Sequence, residues 1–286
     1  MSALPPLTIG VCSWSLLVRN LRELRARLDA VGLNVVQIAC GDPHHAAWEE
    51  GDDLPAAAKA AGFVMTGAML GFPGEDYTTP QTIAKTGGFG DPATRPERLE
   101  RFRWAVERTL ALGLNDLMFH AGFIPPRTSA DYPAFLKTLA AAAALGEKHG
   151  VTLALETGQE TAPHLLQFIQ DLNCPNVKVN FDPANMLLYD MGDPIAAVKL
   201  LGPHIRSVHV KDAFRPTTPG TWGTEQVLGQ GAVNIPLFVE TLVRVGFTGP
   251  LVIERSVETP EQAVMDIRTG LAVLKQAVNA ACGTAN

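Results

Sequence analysis

Four short apolar runs in the second half of the chain each end at a side chain able to hold a metal or move a proton. Thr152-Leu153-Ala154-Leu155 runs into Glu156, and Val177-Lys178-Val179-Asn180-Phe181 runs into Asp182. Ile205-Arg206-Ser207-Val208 runs into His209, and Leu251-Val252-Ile253 runs into Glu254. The length and composition of each run predict a strand. Side chains alternate along a strand, so Glu156 shares a face with Thr152 and Ala154, Asp182 with Asn180, His209 with Ser207 and Lys211, and Glu254 with Val252. The opposite faces carry Leu153, Leu155, Val179, Phe181, Val208, Val210, Leu251 and Ile253. Those bulky faces must meet a helix layer, which leaves the ligand faces pointing together. Three carboxylates converging without a partner would repel one another and resist desolvation. A divalent cation removes that penalty. Hard oxygen donors with one imidazole favour manganese, with magnesium, cobalt and zinc as alternatives.

The elements that must position these residues alternate strictly. Strands are predicted over 8–14, 34–41, 63–71, 116–122, 151–156, 177–182, 205–209 and 251–254. Helices are predicted between and after them, over 20–32, 54–62, 95–113, 132–150, 161–173, 193–201, 235–246 and 259–281. Parallel strands covered by helices follow from that alternation. Eight strand–helix units in 286 residues, with no linker or break in composition, predict an α/β fold: one (β/α)8 TIM barrel domain over 1–286. An open doubly wound sheet would carry a glycine-rich phosphate turn after its first strand, and Cys12-Ser13-Trp14-Ser15 is not one. Two long segments, 72–94 and 214–234, leave from C-terminal strand ends, where a barrel keeps its chemistry, and read as lids.

Bulk properties narrow the function classes. The chain is 47% hydrophobic and 18% charged, enough for a large core. A net charge of -6 argues against nucleic acid as a partner. Cys12, Cys40, Cys174 and Cys282 are scattered without a CxxC pair, as expected of reduced thiols in the cytoplasm. Met1 to Pro6 shows no signal-peptide pattern, and no apolar run is long enough for a membrane span. Homo-oligomerisation stays open.

Leu155-Glu156-Thr157-Gly158-Gln159-Glu160, Asn180-Phe181-Asp182-Pro183-Ala184-Asn185, Val208-His209-Val210-Lys211-Asp212 and Val252-Ile253-Glu254 together resemble the xylose isomerase-like TIM barrel superfamily. The likeness is to its sugar (phosphate) isomerase/epimerase branch, which includes the ketose 3-epimerases. The resemblance implies a divalent-metal-dependent isomerase or epimerase acting on a sugar through an enediolate. It implies that Glu156 and Glu254 are both metal ligands and the acid/base pair, and that Asp182 and His209 complete the metal site. It also implies a substrate contact at Arg215, six residues after the histidine. Asn185 stands where the ketose 3-epimerases carry a substrate-contacting histidine, and Ala162 where they carry a second glutamate. A lyase or dehydratase on a keto-sugar, keto-glycoside or keto-inositol is the alternative. An endonuclease IV-like reading would use His120 but lacks a histidine at the end of strand three and an Asp-x-His pair at Gly229-Gln230-Gly231. A non-catalytic sugar-binding barrel is the remaining class. His120, Asn185, Lys211, Trp14, Trp222 and Glu225 are further substrate-binding candidates. For Lys211 a salt bridge to an acidic neighbour is the competing role. His44 and His45 are expected in a solvated loop, and Arg255 in a structural role.

Overall fold

A computed structural model of the chain describes residues 7–41 and 48–283. His44, His45 and the opening residues Met1 to Pro6 lie outside the described residues. Eight parallel strands close into a barrel: β1 Ile9–Cys12, β2 Val35–Ala39, β3 Val64–Leu70, β4 Asp116–Phe119, β5 Thr152–Glu156, β6 Val177–Phe181, β7 Ile205–Val210 and β10 Leu251–Ile253. A small antiparallel hairpin, β8 Asp212–Phe214 with β9 Thr224–Gln226, stands apart. Going round the barrel each strand neighbours the next in sequence, and β10 closes on β1 with Ile9 opposite Leu251 and Val11 opposite Ile253.

The helices are α1 Leu21–Val31, α2 Leu54–Ala61, α3 Pro80–Thr86, α4 Arg95–Ala111, α5 Tyr132–Glu147, α6 Ala162–Leu172, α7 Pro183–Leu188, α8 Pro194–Leu201, α9 Ile235–Arg244 and α10 Pro260–Cys282. Local chemistry sets their ends. Asn20 accepts from Glu23 N, and Thr259 from Gln262 N, satisfying amides that no helical carbonyl reaches. Gly32 and Gly62 end α1 and α2 in the left-handed region, at φ 72° and 70°.

The two faces of the strands separate as the alternation requires. Leu153, Leu155, Val179, Phe181, Val208 and Ile253 join one continuous core with the helices. Inside the barrel a small apolar cluster of Met69, Met118 and Ala154, with Trp14 against it, fills the space beneath the strand ends. Phe102 of α4 packs edge-on to Phe119 of β4, ring centroids 4.9 Å apart, and both are fully buried. Truncating such a ring to alanine costs about 3–5 kcal/mol, so this contact anchors α4 to the sheet.

The structure departs from the predicted elements in four places. The 72–94 segment contains α3, started by a capping box between Thr79 and Thr82 with proline at its first position. Asp182 starts a further short helix, α7, and the 214–234 segment contains β9. The fourth strand stops at Phe119 rather than running to Gly122. There the chain leaves the sheet to meet the 72–94 segment, Phe89 N donating to Ala121 O at 2.7 Å. Gly122 has φ 91°, and a Cβ on it would sit 2.3 Å from Gly87 O, so only glycine fits that crossing. Among the described residues no helix is long and apolar enough to cross a membrane.

Candidate metal centre

β5, β6, β7 and β10 bring Glu156, Asp182, His209 and Glu254 together, with one ligand atom from each lying within 4.8 Å of the others. Glu156 Oε1 accepts from Asn185 Nδ2 at 3.1 Å and lies 2.9 Å from His209 Nδ1, while Oε2 lies 3.3 Å from His120 Nε2. Asp182 caps α7: its Oδ1 accepts from Ala184 N at 2.8 Å and Asn185 N at 2.9 Å. Its backbone is clamped by Thr157, whose hydroxyl accepts from Asp182 N at 2.8 Å and donates to Asp182 O at 2.9 Å. The ring of His209 is oriented from below, with Nε2 2.6 Å from Gln37 Oε1. An amide oxygen only accepts, so Nε2 carries the hydrogen and Nδ1 faces the carboxylates. Glu254 Oε1 accepts from Trp14 Nε1 at 2.8 Å, and Oε2 from Lys211 Nζ at 3.2 Å.

Two buried carboxylate oxygens in this cluster, Glu156 Oε2 and Asp182 Oδ2, have no hydrogen-bond partner. Buried acceptors without a hydrogen bond are costly, and a cation would satisfy both, Glu156 Oε2 having otherwise only the 3.3 Å contact to His120. The electrostatics agree. Burial drives the Asp182 carboxyl well above the usual carboxylate range. Burial also opposes charge on Glu156 and Glu254, yet His120 and His209 hold Glu156 below its ordinary value, and Lys211 and His209 do the same for Glu254. Burial works against the His209 imidazolium, but Cys12, Glu156 and Glu254 raise it well above its ordinary value. The Asp182 and His209 directions describe a cluster short of positive charge, while Glu156 and Glu254 stay ionised beside their cationic neighbours. The donor set therefore fits a divalent cation.

A cavity of about 460 Å³ opens above the cluster. Glu156 and Glu254 form part of its wall, together with Trp14, His120, Asn185, Lys211, Trp222 and Glu225. Its roof is tied across two loops: Trp222 Nε1 donates to Tyr77 O at 3.1 Å, and Gln81 Nε2 to Gly220 O at 2.8 Å. Asp212 organises the second loop from beneath, its carboxylate accepting from the amides of Gly229, Gly231 and Val233 at 2.9–3.0 Å.

The family model for the xylose isomerase-like TIM barrel matches residues 20–277. The chain belongs to that family. A crystal structure of a xylose isomerase domain protein from Planctomyces limnophilus is similar to it, at 33% identity and a TM-score of 0.88, covering 98% of this chain and 100% of that one. Two curated relatives align over shorter stretches. The Escherichia coli protein YihM is 30% identical over 105 residues, 36% of this chain. The Shigella dysenteriae protein UlaE, provisionally named an L-ribulose-5-phosphate 3-epimerase, is 27% identical over 187 residues, 63% of this chain. The chain spans 32% of YihM's length and 63% of UlaE's.

The family likeness also drew attention to Arg215. Its guanidinium donates to Asp190 Oδ1 at 2.5 Å and to Gly192 O, and it is not part of the cavity wall. A carboxylate and a carbonyl outside the cavity wall hold it in this arrangement. Lys211 takes both of its expected surroundings, lining the cavity while paired with Glu254 at 3.2 Å and Glu225 at 3.6 Å. Arg255, outside the cavity wall itself, pairs with the wall residue Glu225 and with Asp266, each at 2.8 Å. Sequence reasoning missed Gln37, Thr157, Tyr77 and Tyr189. Gln37 left one signal, a lone amide in the apolar strand Val35-Val36-Gln37-Ile38-Ala39.

Proposed function

We propose that the chain is a divalent-metal-dependent sugar isomerase or epimerase that moves a proton through an enediolate. One observation carries this reading: Glu156 and Glu254 both belong to the metal-type cluster and both stand in the cavity wall, at opposite ends of the ligand arc. The name of UlaE, a relative along 63% of its length, supports the same chemistry. A cation held by Glu156, Asp182, His209 and Glu254, with manganese favoured by the donor set, supplies Lewis-acid polarisation of the substrate carbonyl.

The protein's own groups do the rest. Both glutamates are held below the usual carboxylate range and so start as bases. One removes the carbon-bound proton next to the carbonyl; the other, after taking up a proton from solvent in the open cavity, returns it to the opposite face. Positioned proton transfer of this kind is worth roughly 10²–10⁴-fold. Asn185 and Trp14 fix the two carboxylates by hydrogen bonds at 3.1 and 2.8 Å. The aromatic rings of Trp14, Tyr77 and Trp222 in the wall suit the C–H faces of a small-molecule sugar. Buried thiols at Cys12 and Cys40, in no disulfide, suit a reducing compartment, the cytoplasm.

A second reading, elimination from a keto-sugar or keto-glycoside, draws on Lys211, an ammonium beside Glu254 that is able to assist a leaving group. Deuterium incorporation from D2O into a panel of ketoses separates the two on manganese-loaded protein. Exchange with recovered epimer or aldose supports the isomerase/epimerase reading. Exchange with loss of a substituent supports elimination. Glu156→Gln is expected to abolish exchange while metal still binds, and exchange surviving in that variant removes Glu156 as the acid/base group.

A further inference from the structure

A second concavity of about 330 Å³ lies beside the metal cavity. Its lining is largely apolar, including Pro80, Phe123, Met191, Pro216 and Pro219, and Phe123 stays 38% exposed although it is aromatic. Tyr189 belongs to both volumes. Its ring meets Trp222 of the metal cavity edge-on at 4.7 Å, and its hydroxyl accepts from Gln159 Nε2, a groove residue, at 3.4 Å. The same two loops roof both spaces, since the tie from Gln81 to Gly220 joins two groove residues and the tie from Trp222 to Tyr77 joins two cavity residues. Among the described residues the groove lining has one charged side chain, Asp190, and Arg215 neutralises it at 2.5 Å.

We propose that this groove is a second subsite of the same active centre, taking an uncharged apolar substituent of the sugar that lies over the metal. The inference rests on the sugar-enzyme reading above. The substrate class is then a keto-sugar bearing an aromatic or alkyl group. Three features point to that occupant. The groove offers no cation to a phosphate or carboxylate, and a charged group there would lose its hydration without a partner. It shares a wall residue and its roof with the cavity, so one molecule passing Tyr189 fills both. Three prolines hold its lining in place, so little ordering entropy opposes binding.

Matched probes test this: D-fructose against its 1-O- and 6-O-benzyl ethers, titrated calorimetrically into manganese-loaded protein, with deuterium exchange followed alongside. The expected result is at least one benzyl ether binding on the order of 10-fold more tightly than D-fructose. In a Phe123→Ser, Met191→Ser double variant that ratio is expected to fall to near one. The ratio compares two ligands on one protein preparation, so partial loss of folded protein or metal cancels. A wild-type ratio near one, or a gain that persists in the double variant, overturns the subsite while ketose exchange keeps the enzyme reading. A benzyl gain that the variant removes, with no exchange on any ketose, keeps the subsite and sinks the enzyme reading. Absence of binding by all three probes overturns both.

Discussion

Gln37→Leu gives the sharpest test of how the metal centre is built. Gln37 Oε1 lies 2.6 Å from His209 Nε2 deep in the barrel, and both side chains are fully buried. That contact fixes the hydrogen on Nε2 and leaves Nδ1, the nitrogen 2.9 Å from Glu156 Oε1, for a cation. Leucine has a similar volume and no acceptor. When the ring sheds a proton to take a cation, either nitrogen can then keep the remaining hydrogen, and some of the binding energy is spent on fixing that choice. Outer partners of metal-bound histidines are worth about 10–100-fold in affinity, or ~1.4–2.7 kcal/mol. The metal-free protein behaves differently. The wild type already buries Gln37 Nε2 without a partner, and leucine removes that donor while orphaning His209 Nε2. Each orphan costs about 1–3 kcal/mol, so the two nearly cancel. Titration calorimetry with Mn²⁺ should therefore show affinity falling 10–100-fold, while the melting temperature in EDTA moves by about 3 °C or less. Wild-type affinity in the variant would refute the tautomer argument. A large loss of stability in EDTA would instead show that Gln37 acts through packing.

Three further outcomes are expected. Adding EDTA should lower the wild-type melting temperature and Mn²⁺ should restore it, by about 2.7 kcal/mol when the ion is at 100 times its dissociation constant; an unchanged melting temperature removes the metal from the folded state. Arg215→Ala should leave ketose exchange within about threefold, because the residue spends its hydrogen bonds on an exposed pair of small worth; a loss of 100-fold or more would return Arg215 to the substrate. Burial lifts the Glu160 carboxyl from the usual 4.5 to about 8, against a smaller opposing contribution from the Gly158 amide. The unfolded chain releases that proton first, so Glu160's contribution to stability is fully present below about pH 4.5 and is lost as pH rises to about 8, with a ceiling on the order of 5 kcal/mol. Denaturant unfolding at pH 5 and pH 8.5 should show Glu160→Gln flattening that decline, and equal declines in the two proteins would discard the assignment.

The ligand quartet was legible because two local rules converge on it. Period-two alternation fixes which face a residue takes, and the residue type fixes what it does there. Neither rule needs to know the partner strand. Where the partner matters, the sequence is silent. Gln37 meets His209 across 172 positions, and nothing in either strand announces the other. Arg215 shows the same limit: its spacing from His209 fixes where its backbone lies, but a long side chain takes whichever acceptor the fold brings near, here Asp190. The short helices α3 and α7 escaped because each is fewer than eight residues and begins at a proline, which reads equally well as a turn.

The same logic locates the site's most demanding contact. Trp14 donates to Glu254 across 240 positions, just above the seam where β1 pairs with β10. Every other strand pair in the barrel joins barrel strands that follow one another along the chain, β7 and β10 with only the β8–β9 hairpin and α9 between them, so this seam carries the largest cost in loop closure. Glu254 follows β10 directly, and its amide donates to Val210 O at 3.2 Å on the opposite side. One of the two proposed acid/base carboxylates is therefore in position only when the barrel has closed, whereas Glu156, Asp182 and His209 come from the consecutive strands β5, β6 and β7. A substitution that loosens the seam, such as Val11→Ala, should in consequence weaken proton transfer at Glu254 before it disturbs the other three ligands.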